Sequence, residues 1–426
     1  MVQYAQTSPT RTVSRLRWHE LFSLLTFHDP LNGPVQWARK HGDVIHIKIR
    51  RVHIFLLFHP DDIRELLVVK HEDFYKGDGV MKLDRMLGRG LVTSEGELHR
   101  RQRRLVQPAF HRQRIAGYAV AMAEAARQQA LSWQDGTTVD MTAEMMQVTL
   151  AIVGKTLFNT DVENEADAVR DGLMTSMEAF RALGLSPIGD LIERLPLPIN
   201  ARLRQAREKL DKIIYHIIDE HRRAGIDQGD LLSMLLAAQD EDGSSMSDQQ
   251  LRDEVMTLFL AGHETTSHAL AWTWYALSQN PEVLAKLQKE LDTVLAGRTP
   301  TMDDISQLPY TQQVLTESMR HYPPIWAIDR RAIRDTTIGD VRIPKGARVV
   351  MNQYAVHHDS RFYPDPERFD PERWTPEAQA SRPKFSYFPF GGGPRLCIGE
   401  QFAWTEETIL LATLAQQWEA HVVPGW

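Results

Sequence analysis

The chain has 426 residues, with 49 Lys and Arg against 56 Asp and Glu for a net charge of −7, a balance that gives no global reason to expect nucleic acid. Its single cysteine rules out an intramolecular disulfide framework and a zinc site built from four cysteines. No run of about 18–20 uncharged apolar residues predicts a transmembrane helix, and the polar first seventeen residues lack the apolar core of a signal peptide.

No Gly/Ser linker, low-complexity tract or internal repeat marks a boundary. The sequence therefore predicts a disordered N-terminus over 1–17 and one large, mainly helical domain over 18–426. Between Trp18 and Trp37, Asp29-Pro30 and Asn32-Gly33-Pro34 read as turns. Residues 43–49 alternate at period two, Arg50-Arg51 makes a turn, and 52–58 is a nearly continuous apolar run, which together predict a hairpin. His59-Pro60-Asp61-Asp62 opens a helix, with proline and acids where a first turn favours them. From Phe74 to Gly96 the pattern dissolves around Gly77, Gly79, Gly88 and Gly90; long loops of this kind often carry function.

Residues 96–105 read as a helix ending near Pro108-Ala109-Phe110. Arginines 100, 101, 103, 104, 112 and 114 fall in a stretch without an acid, from Leu98 to Arg114. His99 and Arg103 are four apart and share a face; a solvated basic face is the ordinary reading of such a run. Helical periodicity returns over 113–133 and 141–158 and continues, less cleanly, to 224. Gly184–Gly189 and Leu195–Pro198 interrupt it, as an ordinary connection or as something more mobile.

The longest helical stretch runs from Asp248 to about Ser278. Ser247 or Asp248 can cap it, and Asn280-Pro281 ends it. At 1.5 Å per residue it is a rod of roughly 45 Å, and its apolar middle (Val255, Met256, Leu258, Phe259, Leu260) places it in the core. At its centre stands Ala261-Gly262-His263-Glu264-Thr265-Thr266. Glycine and two β-branched threonines weaken a helix locally, and a buried acid and hydroxyl carry a desolvation cost. A kink with satisfied polar groups or a turn widened for chemistry would both account for it. His263 and His268 have no partner at metal-ligand spacing.

Glu317 and Arg320 close a further helix before Pro323-Pro324; an i,i+3 pair alone is usually a surface salt bridge worth a few tenths of a kcal/mol. Residues 337–344 and 348–351 read as strands that extend the sheet begun by 43–58. Near the end comes Phe388-Pro-Phe-Gly-Gly-Gly-Pro-Arg-Leu-Cys-Ile-Gly399. Most lone cysteines are buried structural thiols. Here Cys397 precedes a helix whose N-terminus favours thiolate. Its glycine-rich approach lets backbone lie against a flat macrocycle, and Arg395 can pair with a propionate, an arrangement suited to axial ligation of haem iron.

Phe390-x-x-Gly393-x-Arg395-x-Cys397-x-Gly399 resembles the haem-ligand signature of the cytochrome P450 family. Ala261–Thr266 resembles that family's oxygen-activation motif, and Glu317-x-x-Arg320 its Glu-x-x-Arg helix. The resemblance runs from about residue 20 to the end. It implies a mainly α fold with a small β-sheet subdomain, the long central helix lying over haem b. Cys397 would supply the thiolate ligand on a bed that includes Phe390, Gly393 and Gly399. His99, Arg103, Arg330 and Arg395 would bind the propionates. Glu264 would relay protons, and Thr265 would hydrogen-bond the oxygen under activation in a turn opened for O2 and water. Glu317 and Arg320 would form a buried network completed by Arg373 rather than Arg368, following the family's Asp-Pro-x-x-Phe-x-Pro-Glu-Arg order. Such a network acts as a specificity device more than as stabilisation. Ala261, Ile325, Trp326 and Ala327 would face substrate, and 184–198 would be a mobile lid.

The implied activity is haem-thiolate monooxygenation of a hydrophobic small molecule of the terpenoid, fatty acid or steroid class. A single cysteine cannot hold an iron–sulfur cluster, so electrons would come from a separate ferredoxin or flavodoxin with its NAD(P)H reductase, docking near the basic helix. The form implied is bacterial and cytoplasmic, a monomer without a membrane anchor. A peroxide-driven peroxygenase, or a non-catalytic haem sensor or electron carrier, would share Cys397 but would not need Glu264-Thr265. Family members usually continue past the cysteine helix into a pocket-lining β-hairpin, and this sequence ends at Trp426, where that hairpin would begin.

Overall fold

The computed structural model describes residues 13–14, 29, 31–159, 172, 175, 195, 197–239 and 243–423. The expected lid over 184–198 lies almost wholly outside them, as does the expected disorder of 1–17 apart from Val13–Ser14. The chain divides into two compact units, 1–77 with 319–397, and 78–318 with 398–426.

All the named strands belong to the first unit. They are β1 (Val13–Ser14), β2 (Val44–Ile49), β3 (Val52–Leu57), β4 (Phe74–Lys76), β5 (Ile328–Ala332), β6 (Thr336–Ile338), β7 (Val341–Ile343) and β8 (Arg348–Met351). The predicted hairpin forms: β2 and β3 pair antiparallel from Val44–Leu57 to Ile49–Val52, with Arg50 at the turn in the left-handed region (φ 54). The apolar run of β3 is buried on both faces. Phe55 and Leu57 join Val44, Leu67, Val349, Met351 and Phe388 in one cluster, while Leu56 and Phe58 join Trp37, Ile45 and Ile47 in another. That is why it reads as continuous rather than alternating.

One expectation is corrected. Of the two later strand segments only β8 joins the main sheet, whose order is β1-β2-β3-β8-β5-β4. β6 and β7 form a separate two-stranded hairpin. The Lys70 ammonium ties this hairpin down by donating to Thr337 O (2.8 Å) and Thr337 Oγ1 (2.9 Å), and Gly346 (φ 81) turns the chain before β8. The places left in the main sheet are taken by β4 and β5, three and five residues long, neither of which carries a legible strand pattern in the sequence.

The second unit is helical. Helices Arg112–Ser132 and Met141–Phe158 match the predicted periodic segments closely. The central helix spans Asp248–Gln279 and opens with a capping box, Ser247 Oγ accepting from Gln250 N while the Gln250 side chain accepts from Ser247 N. It packs most extensively on Met141–Phe158 and also on Pro198–Ala224. The cysteine helix, Glu400–Ala415, packs on Arg112–Ser132 and on the central helix; Phe402 meets Phe110 and Tyr118 edge-on.

Candidate active site

In the first unit the cysteine loop is shaped by glycine and held from outside. Gly391 and Gly393 have φ of 77° and 65°, a region that other residues enter only with strain. A Cβ on Gly393 would lie 2.0 Å from Leu67 O, and one on Gly392 would lie 2.5 Å from the Phe385 ring. Leu67 belongs to a wide i→i+5 helical turn, Glu65–Val69, so a backbone bulge presses into the space that missing side chains leave. At the loop's entrance, Gln353 Nε2 donates to Phe388 O (2.6 Å) and Phe388 N donates to His357 Nε2 (3.2 Å). Both Gln353 and His357 are fully buried. Inside the loop, Cys397 N donates to Phe390 O (3.0 Å). Cys397 itself is exposed, unlike most lone thiols, and the cysteine helix begins three residues later with Gly399 as its N-cap.

The same unit holds Arg320, Arg330, Arg373 and Arg395. Arg320, buried, donates to the carbonyls of His357 (2.8 Å), Pro366 (2.8 Å) and Arg368 (3.4 Å). Arg373 donates to Pro364 O (2.6 Å), Asp365 O (2.7 Å) and, at 3.5 Å, to the same Arg368 carbonyl. The structure thus brings Arg320 and Arg373 to one stretch of backbone, while the Arg368 residue is exposed. Glu317 belongs to the second unit and is buried. Arg330 sits on β5, half-buried, with Nη1 donating to Asp329 O (2.9 Å). Ile325 and Trp326 are 45 % and 39 % exposed, high for large apolar side chains, and Ala327 is half-buried.

In the second unit the central helix runs unbroken through Ala261–Thr266. Its polar side chains bond to the helix's own carbonyls. Thr265 Oγ1 donates to Ala261 O (2.7 Å), Thr266 Oγ1 to Gly262 O (3.3 Å), and Ser267 Oγ and His268 Nδ1 to Glu264 O (2.9 and 2.6 Å). His263 donates from Nδ1 to Phe259 O (2.8 Å); burial pushes its pKa down, so it stays neutral. Ala261 is exposed and Glu264 and Thr265 are half-buried, while Leu258, Phe259 and Leu260 just before them are buried. A window of exposure thus opens directly after the buried stretch 251–260.

On the helix Gly96–Val106, His99 is buried, Arg103 half-buried, and Arg100 and Arg104 exposed. Arg100 pairs with Glu97, and Arg101 donates to Ser244 Oγ (3.0 Å). Sequence reasoning passed over Arg252, Asp253 and Glu254 of the central helix. All three are buried, although charged residues near a helix start ordinarily read as solvated.

A sequence profile of the family described as cytochrome P450 matches residues 15–425. Cyclooctatin synthase from Streptomyces melanosporofaciens is 39% identical over 388 residues, covering 90% of this chain and 84% of that protein. Cyclooctat-9-en-7-ol 5-monooxygenase from the same organism is 38% identical over 387 residues, with 90% and 84% covered. Pentalenene oxygenase from Streptomyces avermitilis is 38% identical over 387 residues, with 90% and 85% covered.

Proposed function

Because the chain belongs to the cytochrome P450 family and is a haem-thiolate monooxygenase, we propose that it oxidises a hydrophobic small molecule of the terpenoid class. The names of the relatives support that class: one acts on cyclooctat-9-en-7-ol, another on pentalenene. Ile325 and Trp326 in the first unit and, separately, Ala261 in the second leave apolar surface exposed, which suits a substrate with few polar groups.

Haem b with a cysteine thiolate as axial ligand is the cofactor, and Cys397 is the only cysteine. The residues fit this group. The thiol is exposed, and the loop leading to it carries Gly391, Gly392 and Gly393, two of them in backbone conformations reserved for glycine, so a planar macrocycle can approach the chain closely. When bound, the haem thiolate supplies activation of O2, with one oxygen atom entering the substrate and the other leaving as water.

The chain's own residues are assigned as follows. Phe390, Gly393, Cys397 and Gly399 form the proximal bed. His99, Arg103, Arg330 and Arg395 donate to the propionates. Glu264 would relay protons, and Thr265, whose hydroxyl donates to Ala261 O (2.7 Å), would hold a proton at its Oγ1 for transfer. Glu317, Arg320 and Arg373 position the backbone before the cysteine loop. Ala261, Ile325, Trp326 and Ala327 face the substrate.

The activity requires a redox partner. A ferredoxin or flavodoxin with its NAD(P)H reductase fits, with the exposed Arg100 and Arg104 as docking charges. Among the described residues no helix is long and apolar enough to cross a membrane, and we assign the enzyme to the cytoplasm.

The carrying observation is the single, exposed Cys397 at the end of its glycine bed. A carbon monoxide difference spectrum of the dithionite-reduced protein tests it. Wild type should give the red-shifted Soret band of a thiolate-ligated haem, and Cys397→Ser should lose it. A histidine-type band in wild type would overturn the assignment. Product formation from pentalenene with ferredoxin, reductase and NADPH, absent with peroxide alone, tests the reaction class.

A further inference from the structure

The segment from Arg85 to Thr93, which begins in the short helix Asp84–Leu87, is pinned to the start of the central helix by its backbone. Asp253 Oδ2 accepts from Arg89 N (2.7 Å) and Glu254 Oε2 accepts from Leu91 N (3.0 Å). Arg252 donates from Nη2 to Met86 O (3.2 Å) while pairing with Asp211 (2.5 Å). Arg207 Nη1 holds Arg85 O (2.7 Å), and Gln102 Nε2 holds Arg89 O (2.6 Å). Thr93 Oγ1 closes the loop on itself through Gly88 O (2.6 Å).

The three consecutive charged residues 252–254 are 1 %, 5 % and 0 % exposed. Burying three charges in a row costs free energy that apolar residues there would not. The arrangement leaves no slack either. A Cβ on Gly88 would lie 2.0 Å from Asp253 Oδ1, and one on Gly90 would lie 2.2 Å from Thr257 Oγ1 and 2.5 Å from Asp253 O. Asp253, Thr257, Ala261 and Thr265 follow at intervals of four along one side of the helix. The loop therefore rests on the same stripe that, beyond Thr257, opens into the exposed Ala261 and the half-buried Thr265.

We propose that Asp253 and Glu254 are positioning residues. They latch the 85–93 loop against the central helix, and the latched loop sets how large a molecule fits beside Ala261. This rests on the monooxygenase reading only for what the pocket holds; the latch itself stands on the hydrogen bonds above.

The test uses the full, haem-loaded chain and two iron-binding probes, imidazole and the larger 4-phenylimidazole, followed by the Soret shift, alongside hydrogen exchange of the peptide covering 86–94. Asp253→Ala should speed exchange there about ten- to a hundredfold, the range expected when a hydrogen bond to a charged group is lost, with helix Met141–Phe158 unchanged. It should shift the Kd of 4-phenylimidazole at least about fivefold and leave that of imidazole within about twofold. Asp253→Asn, which keeps an acceptor for Arg89 N, should restore both. Gly90→Ala, which leaves every carboxylate in place, should move the probe ratio in the same direction as Asp253→Ala and keeps the test open should Asp253→Ala not fold. Unchanged exchange over 86–94, or both probes weakening together, would overturn the latch. A wild type that gives no shift with imidazole would instead defeat the haem reading, and exchange alone would then judge the latch.

Discussion

The cysteine loop and the middle of the central helix solve the same problem in opposite ways. Each must keep polar groups satisfied while leaving surface for chemistry. The loop does it by importing partners: Gln353 and His357 grip Phe388 from a short helix distant in sequence, and the backbone of Leu67 fills the space beside Gly393. The helix does it internally, Thr265, Thr266, Ser267 and His268 each bonding to a carbonyl three or four residues back. The loop therefore depends on contacts that a single substitution can remove, whereas the helix keeps its ladder whichever side chain is lost.

The largest expected effect falls on the loop. Gly393→Ala combines a positive φ with a Cβ 2.0 Å from a backbone oxygen, and should cost roughly 3 kcal/mol or more and abolish the thiolate-type CO band. Gly391→Ala shares the positive φ but meets nothing closer than 3.9 Å, so it should cost only about 1 kcal/mol. Equal urea midpoints for the two would break the claim that close packing, and not conformation alone, shapes the loop.

Next comes Gln353→Leu, which removes one of the two donors to the buried carbonyl of Phe388 and leaves it Gly391 N (2.9 Å) alone. We expect a loss of about 0.5–1.5 kcal/mol, the net value of one hydrogen bond, together with weakened haem retention, read by urea titration and haem release. A stability loss with unaltered haem retention would show that the grip does not act through the loop.

A third prediction concerns a helix where neither solution applies. Glu406 and Glu407 on the cysteine helix are buried; burial pushes both carboxyls up, Glu407 to about 8, and the neighbouring Glu407 charge adds to the rise at Glu406. A carboxyl raised in the folded state binds more protons there than in the unfolded chain. Its contribution is fully present below about pH 4.5 and is lost as pH rises toward 8. Glu407→Gln should therefore raise the unfolding midpoint at pH 8 while changing it little near pH 5. A constant offset between the two pH values would contradict this.

The smallest effect on stability is expected at Thr265→Val, within about 0.5 kcal/mol, because the helix ladder does not need that hydroxyl. Product formed per electron pair consumed should nevertheless fall at least about tenfold. Product and electron consumption falling in step would remove Thr265 from the proton path.

How much of this was legible follows from the same contrast. The β2–β3 hairpin, the helix Met141–Phe158 and the N-cap of the central helix, one of the two residues Ser247 and Asp248, are local patterns, and they appear where the spacing predicts them. β4 and β5 were not legible because short strands acquire their role from partners: Phe74 pairs with Ala332 and Lys76 with Arg330, more than 250 residues apart. β6–β7 looked no different from β8, yet only β8 reached β3. Nor did the run of arginines say which ones are solvated; the structure leaves Arg100 and Arg104 exposed and half-buries Arg103.

The sequence by itself determined the family, the single thiol that can ligate haem, the long central helix and the glycines of the cysteine loop. These depend on residue type and short spacing, which the chain carries whether or not it is folded. The tertiary structure decided which carbonyl closes on Gly393, which carboxylates hold the 85–93 loop, and which segments complete the sheet. Those outcomes come from burial and hydrogen bonding between residues far apart in the chain, and their partners exist only once the fold has brought them together.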